Sequence, residues 1–108
     1  MSFSISTISL FDSQAKRLAK KYPSLKKELK ELIESLEENP TQGNAIGSNF
    51  YKIRLAISSK GKGKSGGARV ITYVKITRQN VYLTSIYDKS EKADISLNEL
   101  ERILKMVP

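Results

Sequence analysis

Residues 50–74 read FYKIRLAISSKGKGKSGGARVITYV. The first part alternates. Tyr51, Ile53, Leu55 and Ile57 fall on one side, and Lys52, Arg54 and Ala56 on the other. That period of two predicts a strand over 50–58, one face packed on a core and the other presenting cations. From Lys60 the chain alternates Lys and Gly, turns on Gly66-Gly67, and enters an apolar strand over 68–76. A turn at 77–80 leads to a third strand over 81–87. The short connections make the three an antiparallel meander.

Before this meander, Phe3 to Ile8 alternates apolar and small polar residues, as a short strand does. Ser9 and Asp12 have the spacing of a capping box. Phe11, Ala15, Leu18, Ala19 and Tyr22 continue at helical spacing, so a first helix runs to about Lys21 and ends at Pro23. Ser24 opens a second helix with Leu25, Leu29, Leu32, Ile33 and Leu36 on one face, stopped by Asn39-Pro40. Residues 41–49 read as loop, and so do 88–94. Ser96 with Glu99 forms another capping box, and Leu97, Leu100, Ile103, Leu104 and Val107 give a final helix. The expected order is β-α-α-β-β-β-α. This is an α+β fold, with a small antiparallel sheet and helices packed on one face, in a single domain spanning residues 1–108.

The net charge of +8 is unevenly placed. Residues 1–38 carry seven cations against six acids, and residues 88–108 four against five. From Asn39 to Tyr87 there is no Asp or Glu, while Lys52, Arg54, Lys60, Lys62, Lys64, Arg69, Lys75 and Arg78 all fall there. A solvated surface ordinarily mixes the two signs. A one-signed patch points to a polyanionic partner.

Composition also excludes chemistry. The chain has no Cys and no His, so Ser-His and Cys-His nucleophilic pairs are impossible and the commonest metal ligand is missing. No metal and no cofactor are expected. There is no long apolar run for a membrane span and no cationic, apolar leader, so a cytoplasmic protein is expected. Gly63-Lys64-Ser65 is not a phosphate-binding P-loop, because Ser58 stands where that motif needs its first Gly and a strand follows instead of a helix. The loop glycines instead allow the backbone to approach a phosphate, with Lys60, Lys62 and Lys64 fanned beside it.

One reaction suits Lys, Arg, Tyr and Ser alone: cleavage of RNA by its own 2′-hydroxyl. The substrate carries the nucleophile, and Arg and Lys neutralise the crowded phosphate. A Lys among other cations can serve as base. Tyr87, and Tyr73 or Tyr82, can stack a base, supply a proton, or simply pack in the core. Lys52 and Arg54 are stronger candidates, since alternation sets them opposite Ile53 and Leu55.

The segments FYKIRLAISSKGKGKSGGARVITYV and VYLTSIYDKSEKADIS resemble the RelE/ParE superfamily of bacterial toxins, within it the HigB/RelE branch of type II toxin–antitoxin systems. The resemblance is close over Phe50 to Ser96 and extends to the whole chain as element order. It implies a toxin that cleaves mRNA on the ribosome and is held inactive by an antitoxin, from an adjacent gene and of helix-turn-helix type. The family's Lys-x-Lys/Arg strand pair falls on Lys52 and Arg54, its strand-opening Arg on Arg69, and its basic residue after the last strand on Lys89. The family's C-terminal Tyr position aligns with Ile95, and Tyr87 stands nearby as the candidate. Other HigB-type toxins use His, which this chain lacks.

The expectation is therefore a metal-independent mRNA endoribonuclease with Lys52, Arg54, Arg69, Lys89 and Tyr87 at its catalytic site. Lys60, Lys62 and Lys64 are expected to bind RNA or the ribosome. Two rivals share the scaffold: a ParE-like inhibitor of DNA gyrase, and a nucleic-acid-binding module without chemistry. The Lys52, Arg54 and Arg69 set argues against the first, because inhibiting gyrase needs no catalytic cation cluster.

Overall fold

The computed structural model describes residues 2–61 and 63–108. In chain order it holds β1 (Ser4–Thr7), α1 (Ser9–Lys21), α2 (Leu25–Glu38), β2 (Asn44–Gly47), β3 (Phe50–Leu55), α3 (Gly63–Gly66), β4 (Ala68–Lys75), a 3₁₀ turn (Ile76–Arg78), β5 (Asn80–Asp88) and α4 (Leu97–Met106). The strands form one five-stranded sheet in the order β1-β5-β4-β3-β2. The β3-β4-β5 meander is antiparallel as its sequence predicts, while β1 joins β5 in parallel. The α+β class stands, with a mixed sheet. Among the described residues no helix is long and apolar enough to cross a membrane.

Three local expectations are corrected. Residues 41–49 are not all loop, because Asn44–Gly47 pairs with β3 as an edge strand. Its Asn, Ala and Gly are poor strand formers, and the long-range ladder supplies what those side chains do not. The Ser9–Asp12 capping box is absent, since Ile8 occupies the cap without a side-chain bond. The Ile8 amide is held by Leu83 O at 3.3 Å, so the strand runs directly into α1 and Ser9 falls inside its first turn. The box at Ser96 and Glu99 does form, in both directions.

The third correction concerns layering. Register puts Ile53, Val70, Val74, Leu83, Val81 and Ile86 on one face. They are buried in one core with Phe11, Leu18, Leu25, Leu32 and Leu36 of the helical hairpin. Fully burying a Leu such as Leu18 or Leu36 contributes about 1.5–3 kcal/mol. Phe50, Ile71, Tyr82 and Ser85 point to the other face, and they are buried too. There α4 lies across the sheet, bringing Leu97, Leu100 and Leu104 beside Phe50, and Ile103 beside Ser85. So α1 and α2 share one face while α4 covers part of the other. The apolar stripe of α4 shows that it must be buried, not against which face. The part α4 leaves open is the part that carries the cations.

Candidate functional site

Register alone assembles the centre of the site. Arg54 on β3 pairs with Arg69 on β4, and Arg69 pairs with Tyr87 on β5, so the three stand in one row across the sheet. Directly opposed residues have Cβ atoms about 4.5–5.5 Å apart. Lys52 lies two residues along β3 and therefore shares their face.

Tyr87 reaches this face because of a bulge. The β4–β5 register runs Tyr73 to Tyr82 and Thr72 to Leu83, then shifts, so that Ile71 meets Ser85 and Arg69 meets Tyr87. Unbroken pairing would put Ile86 opposite Arg69 and turn Tyr87 into the α1–α2 core. The extra residue, Thr84, is held by its own hydroxyl, which donates to Ile71 O at 2.8 Å. Beyond the end of β1, Gln14 of α1 steadies the β5 edge: its Oε1 accepts from the Ile86 amide at 3.0 Å and Ser85 Oγ at 3.1 Å.

The base of the hairpin is tight. A Cβ on Gly67 would sit 2.2 Å from Leu55 O, so this position excludes any side chain. Gly67 O accepts from the Lys89 amide at 3.0 Å, tying the hairpin to the exit of β5. The segment after β5 then folds back over the cation row. Lys89 Nζ donates to Ala93 O at 2.6 Å, bracing that segment. Lys52 Nζ donates to Asp94 Oδ1 at 3.0 Å, and Tyr87 Oη approaches the same oxygen at 3.4 Å. Lys92 Nζ sits 5.4 Å above the Tyr87 ring and pairs with Glu99 of the α4 capping box.

Electrostatics follow from these contacts. Burial pushes the Tyr87 hydroxyl up to about 12, with the Asp94 carboxylate adding to the rise and Arg69 opposing it. The hydroxyl is therefore protonated throughout the physiological range and can donate. The hydrogen bond from Lys52 holds the Asp94 carboxyl below the usual carboxylate range, with help from the Ile95 amide. Arg69 is buried, and its guanidinium donates to Ala68 O at 3.2 Å. Arg54 is exposed, and beside it Gln42, Gly43, Asn44 and Lys52 line an open cleft of about 440 Å³.

The expected loop ligands do not all join the site. Lys60 turns inward. Its Nζ lies 2.5 Å from Asp88 Oδ1 and 3.1 Å from Ser90 Oγ, with only 8% of the side chain exposed. Tyr22 Oη completes the shell around the buried Asp88 carboxylate at 2.6 Å. This corrects the expectation that Lys60 faces a phosphate, since a fully buried carboxylate claims it instead. Lys62 lies outside the described residues, and Lys64 lies on the turn α3.

Lys52, Arg54, Arg69 and Tyr87 are brought together, and Lys89 braces the segment beside them. Sequence reading misses Asp94 and Lys92. Their signal is the cluster of charges in DKSEKAD, which names no partner because the Lys52–Asp94 contact crosses 42 residues of chain. Glu99 is legible as the cap of α4 but not as the partner of Lys92.

Comparison with known proteins agrees with this architecture. The family model described as the RelE toxin of the RelE/RelB toxin–antitoxin system matches residues 10–107. A double-arginine mutant of the E. coli toxin RelE in the free state is similar in structure, with TM-score 0.66, 14% identity and full coverage of both chains. The isolated E. coli RelE toxin gives 0.60 at 18% identity, covering 98% of this chain and 100% of the other. A metal-bound toxin from Helicobacter pylori gives 0.53 at 18%, covering 83% and 98%. At these identities the solved structures speak to the fold.

Proposed function

The chain belongs to the RelE toxin family, the toxin half of a toxin–antitoxin system, and on that premise we propose that it is a ribosome-dependent, metal-independent mRNA endoribonuclease, acting in the cytoplasm and restrained by a cognate antitoxin. The observation that carries this reading is the row Arg54–Arg69–Tyr87 with Lys52 beside it on one sheet face, Arg54 and Lys52 lining an open cleft and Arg69 and Tyr87 buried behind them.

In this reading the 2′-oxygen of one nucleotide attacks the adjacent phosphorus, and the bond from phosphorus to the 5′-oxygen breaks. The products are a 2′,3′-cyclic phosphate and a 5′-hydroxyl. Arg54 and Arg69 meet the charge that gathers on the phosphoryl oxygens, guanidinium groups being suited to paired oxygens. Tyr87, kept protonated by burial, supplies the proton to the departing 5′-oxygen. Lys52, the ammonium that donates to Asp94 in the free protein, is assigned to a non-bridging phosphoryl oxygen, and the 2′-proton passes to water. Lys62 and Lys64 are assigned to phosphates of the RNA or ribosome, contacts that position without reading sequence. Lys89 acts through the segment it braces.

The test is to incubate the protein with translating ribosomes, with and without 1,10-phenanthroline, which binds transition metals and leaves ribosomal Mg2+ in place, and map mRNA 5′ ends. Cleavage insensitive to that chelator and absent from naked mRNA is the expected result. Intact mRNA together with inhibited gyrase supercoiling would replace this reading with the ParE-like one.

A further inference from the structure

We propose that the Asp94 carboxylate occupies the phosphate position of this site, as an internal anion that a phosphodiester of the RNA must displace. The proposal rests on the reading above for the identity of the substrate, but not for the geometry.

One oxygen, Asp94 Oδ1, faces an ammonium, a phenol and a backbone amide: Lys52 Nζ at 3.0 Å, Tyr87 Oη at 3.4 Å and Ile95 N at 2.8 Å. Lysine, tyrosine hydroxyl and backbone N–H are the donor types that hold non-bridging phosphate oxygens. Residues 39–87 contain no acid, and Asp88 at the end of β5 pairs with Ala68 and so lies on the face opposite Arg69 and Tyr87. Asp94 is brought in from outside by a segment anchored at both ends. At one end Asp88 is buried against Lys60 and Tyr22, and at the other Ser96 and Glu99 cap α4. Lys89 to Ala93 O and Lys92 to Glu99 hold it in between.

The contact is also exchangeable. The Asp94 side chain is 62% exposed and that of Lys52 24% exposed. An ion pair at such a rim is weak and screened. An incoming phosphate therefore trades one anion for another on the same donors, while the displaced carboxylate moves into water. With Asp94 in place the site repels single small anions. A longer RNA, held at the same time by other cations, can supply the difference.

The experiment compares wild type, Asp94→Asn and Asp94→Ala for binding of a 2′-deoxy dinucleotide, which carries the phosphodiester but cannot be cleaved, by calorimetry at low salt. Thermal melts check that each variant is folded. Both neutral variants should bind about two- to fivefold more tightly, the scale of one exposed charge–charge interaction, and Asp94→Glu should return toward wild type. In a Lys52→Met background the gain should vanish. Equal or weaker binding by Asp94→Asn, including no measurable binding by any variant, overturns the proposal. So does an equal gain without Lys52, which would mean a bulk charge effect. Cleavage is not read here. A protein that behaves as described but leaves ribosomal mRNA intact keeps the internal anion and loses the nuclease reading.

Discussion

Arg54 stands directly opposite Arg69 in the β3–β4 ladder, and Arg69 faces Tyr87 on β5. Like charges in directly opposed positions destabilise a sheet, by an amount within the roughly 0.2–1 kcal/mol span of cross-strand pairs. A sheet built for stability alone would place neutral or opposite partners here. Arg54→Thr should therefore leave the thermal midpoint unchanged or slightly higher while reducing cleavage. Arg69→Ala should lose on the order of 10²-fold or more in cleavage rate, the scale of one lost transition-state donor. Arg69→Lys should recover little, lacking the fork. Primer extension on ribosome-bound mRNA, with ribosome affinity measured in parallel, checks both. An Arg69→Ala protein that cuts like wild type would end the catalytic assignment.

The Lys60–Asp88 pair gives a prediction about stability. Burial alone would raise the Asp88 carboxyl, but hydrogen bonds from Lys60, Tyr22 and Ser90 outweigh it and hold the group well below the usual carboxylate range. A depressed folded value means stability that is fully present above the ordinary pKa of about 3.9. It is lost as pH falls through the folded value. Asp88→Asn, which leaves the Lys60 ammonium without its carboxylate, should cost about 3–5 kcal/mol, and Lys60→Met should cost less, because Lys21 Nζ at 4.0 Å and the Tyr22 hydroxyl still face Asp88. The double variant should cost less than their sum. Urea melts at pH 7 and pH 3 measure this, with the difference between pH values smaller in Asp88→Asn.

Tyr87 predicts an ultraviolet titration in which one tyrosine ionises only near pH 12. Tyr87→Phe should remove that step, keep the fold and lower the cleavage rate. Because the folded value is raised, the associated stability is present below pH 10 and is lost as pH rises through about 12.

The loop lysines should separate by role. If Lys62 and Lys64 contact phosphates, replacing each with Ala should flatten the slope of log K against log salt by roughly 0.7–0.9 per lysine, equally on every mRNA. Lys60→Ala should instead lower the thermal midpoint and leave that slope unchanged. A salt slope that falls with Lys60→Ala would show that Lys60 leaves Asp88 on binding.

Much of the scaffold was legible because it is written in local patterns. Period-two alternation over Tyr51–Leu55, helical spacing over Leu25–Leu36, and the Ser96–Glu99 spacing each depend on residues within a few positions of one another. The strand Asn44–Gly47 was not legible, since its place comes from pairing with β3 and its own residues are poor strand formers. Lys52 and Arg54 were legible as an outward pair. That Lys60 would turn inward was not, because its partner Asp88 lies 28 residues away and is visible only when β5 and the hairpin base meet.

The sequence by itself determined where the positive charge lies along the chain, that no acid, His or Cys falls within the stretch 39–87 that carries it, and most of the order of helices and strands. These are properties of composition and of neighbours along the chain. Only the tertiary structure decided which side chains share the site. One inserted residue at Thr84 turns Tyr87 from the core to the face of Arg69. The segment after β5 carries Asp94 across 42 residues to Lys52. α4 covers one end of the cationic face and leaves the other open. The physical reason is the same in each case: strand register and helix docking are fixed by long-range pairing and shared burial, and a periodic pattern marks a face without naming what it faces.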